Sequence, residues 1–300
     1  MQLILDARFN DLDHCVEEVR HWDLDFRLLG KGGFLGSLRQ LVSPDILITH
    51  ARFLSRLDQA GSTPAGFCTF AVPGPHCNGF WWRGRQVGAG DLLVFPETNE
   101  LRAATLPDFE VYTVSLRLEY LEQLYDSLQL RCGIPQEVLH MDNDTAREVW
   151  SLAATIMDSL SGPEQLAEAR LLAEKLAAVT SVGQLGKPLS RRRRDLAVDR
   201  VIEYVRHTQS PAFDMDTLCR IAGTSERTLQ YAFKERYGIP PNVFVKRWNL
   251  NSARRLLQQS SPAESTVTII SSKFGFMHQG QFSADYKKLF AELPSTTLRS

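Results

Sequence analysis

The stretch from Cys219 to Gly238, CRIAGTSERTLQYAFKERYG, joins an apolar helical segment to a second helical segment rich in polar side chains. Gly223 is predicted to end the first helix, because glycine enters a left-handed turn at little steric cost. Ser225 is a typical N-cap residue and is predicted to begin the second helix. A small residue at Cys219, the turn glycine and an apolar anchor at Leu229 have the spacing of a helix-turn-helix.

The second helix of this unit is predicted to have one apolar and one polar face. Leu229 and Phe233 occupy the apolar face at helical spacing. On the opposite face, arginine and glutamine are the residue types that read base edges in a major groove, and lysine contacts phosphate. The predicted DNA-binding residues of this face are Arg227, Gln230, Tyr231 and Lys234.

The segment 267–290, VTIISSKFGFMHQGQFSADYKKLF, repeats the arrangement with Ser271 in the small position and Gly275 in the turn. A long helix is predicted between the two units, over 241–259. Two recognition helices joined in this way would address successive major-groove segments about one helical turn (~34 Å) apart. The predicted DNA-binding residues of the second unit are His278, Gln279, Ser283, Lys287 and Lys288.

The second recognition helix is predicted to be a poor reader of bases. Ala284 and Asp285 lie on this helix, and neither is a basic side chain that could read bases. This helix is therefore predicted mainly to position the protein on phosphates.

Charge is unevenly distributed along the 300 residues. Residues 1–186 carry 15 Lys and Arg against 25 Asp and Glu, whereas residues 187–300 carry 19 against 10. A basic final third on an acidic body favours a module that binds a polyanion, although two ordinary domains with different surface charge remain an alternative. Helix breakers and an arginine run, Arg191 to Arg194, predict a basic linker over 184–194.

These motifs resemble the AraC/XylS family of bacterial transcription regulators. The family pattern is matched at Leu218, Ala222, Gly223, Ser225, Arg227, Leu229, Phe233, Lys234, Gly238, Pro241, Ala253, Leu256, Leu257, Gly275, Phe276, Phe282, Tyr286, Lys287, Phe290 and Pro294, with Arg247 or Arg254 at a further position. Tyr231 departs from the pattern where the family often has arginine, and Ala291 replaces the usual glycine.

The N-terminal half contains short β-like runs over 65–117 and helical periodicity from about 118 to 183. The segment 81–103, WWRGRQVGAGDLLVFPETNELRA, is similar to the cupin-type sensory barrel that precedes the DNA-binding domain in this family. The resemblance implies an α+β protein with a cupin-like β-barrel at about 1–117, flanking helices at about 118–183, and an all-α domain at 195–300 with two helix-turn-helix units.

Such N-terminal domains bind a small effector, dimerise, or do both. The candidate effector-binding residues inside the barrel are His50, Arg52, His76, Trp82, Arg83 and Arg85. The alternative is that Trp81 and Trp82 are core or surface residues and that the arginines are solvated. Apolar stripes over 144–183 favour either a homodimer interface or packing on the barrel, and the pattern does not separate the two.

No metal site, cofactor or catalytic residue is predicted, because the histidines are isolated and no nucleophile has a neighbouring base. Five cysteines without a C-x-x-C pair and the lack of a long apolar run predict a reduced, cytoplasmic protein with no membrane association.

The resemblance implies a transcription regulator of promoter DNA that contacts RNA polymerase, with activation favoured over repression. The alternatives are a cupin-type enzyme with a nucleic-acid-binding tail and an architectural DNA-binding protein without a sensory role.

Overall fold

A computed structural model describes residues 1–75, 77, 79–96, 100–130, 138–159, 162–182, 193–209 and 211–299. Within the predicted linker 184–194, only Arg193 and Arg194 belong to these ranges. His76, a candidate effector-binding residue, lies outside the described residues.

The N-terminal region is built mainly from antiparallel strands. The strands are β1 (Gln2–Phe9), β2 (Asp23–Leu28), β3 (Gly36–Val42), β4 (Ile46–Phe53), β5 (Leu57–Ser62), β6 (Phe67–Pro73), β7 (Phe80–Trp82), β8 (Arg85–Val87), β9 (Asp91–Phe95), β10 (Glu100–Thr105), β11 (Phe109–Arg117) and β12 (Val138–His140). The helices are α1 (Leu12–Glu18), α2 (Leu118–Ser127), α3 (Asn143–Asp158), α4 (Pro163–Val182), α5 (Arg193–His207), α6 (Met215–Ala222), α7 (Glu226–Tyr237), α8 (Pro241–Gln258), α9 (Val267–Lys273), α10 (Gln279–Phe290) and α11 (Pro294–Thr297).

In the described ranges the strands form two facing sheets with a shared apolar interior. One sheet has the order β1-β3-β4-β11-β6-β9-β12, and the other has the order β2-β5-β10-β7-β8. Aromatic rings from the two sheets meet between them: Phe53 of β4 lies 6.1 Å from Phe26 of β2, and Phe109 of β11 lies 5.1 Å from Phe80 of β7. Alternate residues of each strand point inward, which gives the predicted cupin-like barrel.

Helices α2, α3 and α4 cover the outer face of the larger sheet. Ile156, Met157, Leu172 and Leu176 are buried in one cluster with the outward-facing apolar residues of the strands. These parts of the predicted stripes therefore pack on the barrel within one chain, whereas Leu171 remains 48% exposed.

The segment predicted to be helical over 118–183 also contains a strand. β12 pairs with β9, with Leu139 opposite Leu92. A strand of three residues is too short to produce a period in the sequence, and it is identified only by its partner strand.

Helices α5 to α11 form the C-terminal all-α domain, whose apolar cores continue into the barrel. Leu29, Trp81 and Ala104 of the N-terminal region are buried among residues of α5 to α8. A second shared cluster joins the barrel interior to α8, α9 and α10. The helix-turn-helix units are therefore packed against the N-terminal domain.

Candidate nucleic-acid interface

The first helix-turn-helix unit has the predicted turn. Asp214 caps α6 by accepting a hydrogen bond from the Thr217 amide at 2.9 Å. Gly223 ends α6 with φ 65°, and its amide donates to the Cys219 carbonyl at 2.9 Å. The Ser225 hydroxyl accepts from the Thr228 amide and begins α7. The predicted glycine turn and serine cap are confirmed.

Helix α7 separates its apolar and polar faces as the spacing predicts. Leu229 and Phe233 are fully buried. The four predicted DNA-binding side chains of this helix, Arg227, Gln230, Tyr231 and Lys234, are exposed. Tyr231 is 59% exposed, so an aromatic ring stands in the middle of the candidate reading face.

An arginine of the predicted linker lies beside Tyr231 in the structure. The guanidinium of Arg194 lies 5.3 Å from the centroid of the Tyr231 ring, a cation–π distance. Its Nη2 also donates to Glu235 Oε1 at 2.8 Å. The arginine run was the sequence signal, but its attachment to α7 depends on the packing of α5.

The second unit uses its polar side chains within the fold. Ser271 is buried, and its hydroxyl donates to Gln279 Oε1 at 2.9 Å. Gly275 makes the turn with φ 80°. Helix α10 ends at Ala291, which adopts a left-handed conformation with φ 63° although it has a Cβ.

On the predicted DNA-binding face of α10, Asp285 also forms hydrogen bonds within the protein. Asp285 accepts hydrogen bonds from Lys246 Nζ of α8 and from Gln281 Nε2, both at 3.0 Å. Burial raises the pKa of Asp285, but these two bonds and the lysine charge outweigh it and the pKa is lowered. The predicted contacts His278, Lys287 and Lys288 are exposed, and Gln279 and Ser283 are partly buried.

A buried carboxylate attaches the first unit to the barrel. Asp58 of β5 is only 3% exposed. It accepts hydrogen bonds from Tyr237 Oη at 3.0 Å and from Arg206 Nη2 at 3.2 Å. Tyr237 is the last residue of α7, so the recognition helix is fixed to the barrel at its C-terminal end.

The second unit is attached through backbone groups and through an arginine of α8. The amides of Gly32 and Gly33 donate to the carbonyls of Lys288 and Leu289 at 3.0 and 2.9 Å. Arg254 of α8 forms ion pairs with acidic side chains of both domains, Asp11, Asp13 and Glu292.

Strand β2 touches both the barrel interior and α8. The side chains of Leu24 and Phe26 line the interior, whereas the guanidinium of Arg27 lies 3.8 Å from the centroid of the Trp248 ring on α8. Burial is the largest cause that lowers the pKa of Arg27, to about 10. Alternating residues of one strand thus face the two domains.

An amide side chain makes the attachment of β2 to α8 specific. Asn251 Oδ1 accepts from the Leu28 amide and Asn251 Nδ2 donates to the Leu28 carbonyl, both at 2.9 Å. Sequence reasoning assigned no role to Asn251, Asp58 or Arg27, because their partners lie far away along the chain.

The candidate effector-binding residues do not share one pocket. Trp82 lines a cavity of about 80 Å³ inside the barrel. His50 and Arg52 lie on the opposite face of β4, which presents Thr49, Ala51 and Phe53 to the interior. His50 Nε2 is 2.9 Å from Glu110 Oε1 and its ring stacks on Tyr112. The expectation of a joint pocket is therefore wrong for His50 and Arg52, since strand alternation turns them outward.

The two candidate arginines of the β7–β8 hairpin also lie outside the cavity lining. Arg83 lines an interdomain cleft of about 580 Å³, where its Nη2 donates to the Glu100 carbonyl at 3.1 Å. Arg85 is partly buried on β8. Trp81 faces the C-terminal domain and Trp82 the barrel interior, so the two tryptophans are buried on opposite sides of β7.

The described ranges contain no candidate metal cluster and no candidate membrane-spanning helix. No group of three or more His, Cys, Asp or Glu side chains there is placed to bind one metal ion. No helix in the same ranges is both long enough and apolar enough to cross a lipid bilayer.

The chain is similar to several known regulatory proteins. The profile of a helix-turn-helix domain family matches residues 218–300. The XylDLEGF operon transcriptional activator of Pseudomonas putida is 31% identical over 101 residues, which are 34% of this chain and 32% of that protein. A probable thc operon regulatory protein of Rhodococcus erythropolis is 29% identical over 172 residues, 54% of this chain and 52% of that protein.

Two solved structures are also similar. The AraC-like transcriptional activator CuxR has 17% identity and a TM-score of 0.42, with 89% of this chain and 100% of that chain covered. A probable AraC family transcriptional regulator from Rhodopseudomonas palustris has 34% identity and a TM-score of 0.32, with 35% and 98% covered. The chain spans about a third of the length of the P. putida activator and about half of the R. erythropolis protein. The helix-turn-helix domain of this chain is therefore similar to those of AraC/XylS-type transcription regulators.

Proposed function

We propose that this protein is a sequence-specific regulator that binds double-stranded promoter DNA and acts as an activator with RNA polymerase. One observation carries the proposal: α8 joins two helix-turn-helix units, and the first presents Arg227, Gln230 and Lys234 on an exposed face. These are the side chains that contact base edges and phosphates in a major groove.

The proposal divides the contacts between the two units. Arg227 and Gln230 read bases, with Tyr231 and Lys234 beside them. In the second unit, Lys287 and Lys288 contact phosphates, and His278, Gln279 and Ser283 lie near the start of α10. The bonds of Gln279 and Asp285 to side chains of other helices support this division, because a side chain held by tertiary packing contributes less to base recognition.

The N-terminal domain is proposed to regulate the units through a small effector or through homodimerisation, in a cytoplasmic protein without enzymatic activity. Strand β2 supports this coupling, since it lines the barrel cavity and also binds α8. A ligand that shifts β2 would change the docking of α8, and coupling of this kind is reciprocal between the two sites.

The proposal is tested by selecting duplexes from a random library with the full-length protein and sequencing those that remain bound. We expect enrichment of two short motifs separated by about one helical turn, roughly 10 base pairs. Binding without an enriched sequence would instead indicate an architectural protein, and no binding at low salt would refute the proposal.

A further inference from the structure

An apolar side chain projects into solvent just before the second recognition helix. Met277 is 81% exposed, more than any other large apolar side chain that the structure describes. It lies between Phe276, which is buried, and His278, the N-cap of α10. Methionine has three rotatable side-chain bonds and adapts to irregular apolar surfaces. Its position at the start of α10 therefore suits contact with a partner that this helix approaches.

Gly280, in the first turn of α10, is a glycine that the fold itself does not require. Its φ lies outside the left-handed region, and a Cβ added to it would meet no atom within 4 Å. Glycine within a helix is less stable than alanine, because its backbone loses more conformational freedom on folding. Neither the backbone nor the packing explains this loss. Glycine is also the residue that allows a close approach of the backbone to a ligand.

The two recognition helices differ at the positions that face outward. Both are 12 residues long and follow an N-cap residue. Counted from the N-cap, Arg227 of α7 corresponds to Gly280 of α10, and Tyr231 corresponds to Ala284. All four residues are exposed. Since neither Gly280 nor Ala284 has an atom beyond Cβ, the backbone of α10 can lie closer to the floor of a major groove than that of α7.

Positive charge lies on the same unit as this small and apolar surface. Lys273 at the end of α9, and Lys287 and Lys288 in the last turn of α10, are all exposed. These cations fit a polyanion better than an apolar protein surface. The apolar group that B-DNA presents in its major groove is the C5-methyl group of thymine. Duplex DNA thus offers both the charge and the apolar contact that the unit matches.

We infer that the second unit reads thymine through its C5-methyl group, with Met277 and Ala284 as the contacting side chains and Gly280 as the position that lets α10 approach. This assignment rests on the proposed binding of duplex DNA. It adds a base-reading role to a helix whose lysines contact phosphates. The first unit then reads hydrogen-bonding groups of the bases, and the second reads an apolar group.

The test compares binding of the full chain to its selected duplex and to a copy with deoxyuridine in place of thymine in the second motif. Deoxyuridine keeps every hydrogen-bonding group of thymine and lacks only the methyl group. The second motif is the one whose sequence preference persists in Arg227→Ala. We expect the affinity to fall roughly fourfold for each contacted methyl group. Deoxyuridine placed outside both motifs should leave the affinity unchanged.

Variants of the exposed surface assign the contacts. Met277→Ala should reduce the ratio of affinities for the thymine and deoxyuridine duplexes. Gly280→Ala should raise the temperature of thermal unfolding and yet weaken binding of the selected duplex roughly tenfold, because the new methyl group occupies the space of the close approach. A purely structural role would move stability and binding in the same direction. Leu293→Ala is the matched control, since Leu293 is also an exposed apolar residue but follows the C-terminal end of α10.

Three results would overturn the inference: a second motif that is absent or lacks thymine, equal affinity for the thymine and deoxyuridine duplexes, or an unchanged ratio in Met277→Ala. If a sequence motif is bound and one of these results is obtained, only the inference fails. If no duplex is bound at low salt, the proposed function fails and the inference fails with it. Unchanged DNA affinity in Met277→Ala together with lower transcription by purified RNA polymerase would assign Met277 to the polymerase instead.

Discussion

The two helix-turn-helix units repeat one motif but differ in what their polar side chains contact. In the first unit, Arg227, Gln230 and Lys234 are exposed on α7, and Gln230 Nε2 donates to Glu226 Oε1 at 2.7 Å within the same helix. In the second, Gln279 bonds to Ser271, and Asp285 bonds to Lys246. The difference indicates that duplication of the fold does not duplicate the reading function, because hydrogen bonds inside the domain compete with those to bases.

The units also differ in how the barrel holds them. A buried carboxylate, Asp58, fixes Tyr237 at the end of α7, whereas backbone amides of Gly32 and Gly33 fix the end of α10. A charged contact depends on one side chain, and a backbone contact is insensitive to side-chain substitution. Substitution of Asp58 should therefore disturb the first unit selectively.

The largest expected effect is that of Asp58→Ala. It leaves Arg206 and the Tyr237 hydroxyl without their acceptor in a buried site, at a cost of about 3–5 kcal/mol in the free energy of unfolding. Chemical denaturation would measure this loss. Asp45→Ala is the control, because Asp45 forms a surface pair with Arg117 and should change stability by about 1 kcal/mol or less. Equal losses in the two variants would contradict the buried attachment.

The second prediction compares the buried tyrosines of the units between pH 10 and 12. Burial raises the pKa of Tyr286 to about 12, against about 10 in an unfolded chain. The native state thus holds the proton more tightly. The contribution of the Tyr286 phenol to the free energy of unfolding is complete below pH 10 and is lost as the pH rises to 12. The loss is on the order of 2 kcal/mol.

Urea unfolding at several alkaline pH values tests this loss, with Tyr286→Phe as the comparison. The free energy of unfolding of the variant should fall less steeply with pH than that of the wild-type protein. Tyr237→Phe should act in the same direction, since burial and Asp58 raise the pKa of Tyr237. Slopes unchanged in both variants would show that neither phenol is buried as described.

The third prediction separates readers from anchors. Arg227→Ala or Gln230→Ala should cost about 1–3 kcal/mol on the selected DNA site and little on random DNA. Lys287→Ala or Lys288→Ala should weaken binding to both DNAs and reduce the salt dependence by roughly one unit of slope per lost phosphate contact. Binding isotherms at several salt concentrations measure both. A changed sequence preference in the lysine variants alone would reverse the proposed division.

The smallest effect concerns the ends of the recognition helices. Ala291 and Gly238 both cap their helices in the left-handed region, with φ 63° and 64°. Ala291→Gly should stabilise the protein by about 1 kcal/mol, because the Cβ strain is removed. Gly238→Ala should destabilise it, since alanine would be held at φ 64° in the left-handed region. Thermal unfolding measures both, and changes of the same sign would contradict the strain argument.

Much of the DNA-binding domain was predictable because its signals are local. The Gly223 turn, the Asp214 and Ser225 caps and the burial of Leu229 and Phe233 all depend on residues within one or two helical turns. The pocket was less predictable. His50 and Trp82 are both plausible ligand contacts as residue types. Only strand register shows that Trp82 faces the interior and His50 does not.

The sequence by itself determined the resemblance to a regulator family, the two helix-turn-helix units and the residues on their faces, because helix ends and helical periodicity are set by near neighbours. Only the tertiary structure decided which polar groups bond to distant segments of the chain. Asp58 and Tyr237 are 179 positions apart, and Lys246 and Asp285 are 39 apart. Such pairs form only when packing brings distant segments together, so no local pattern records them.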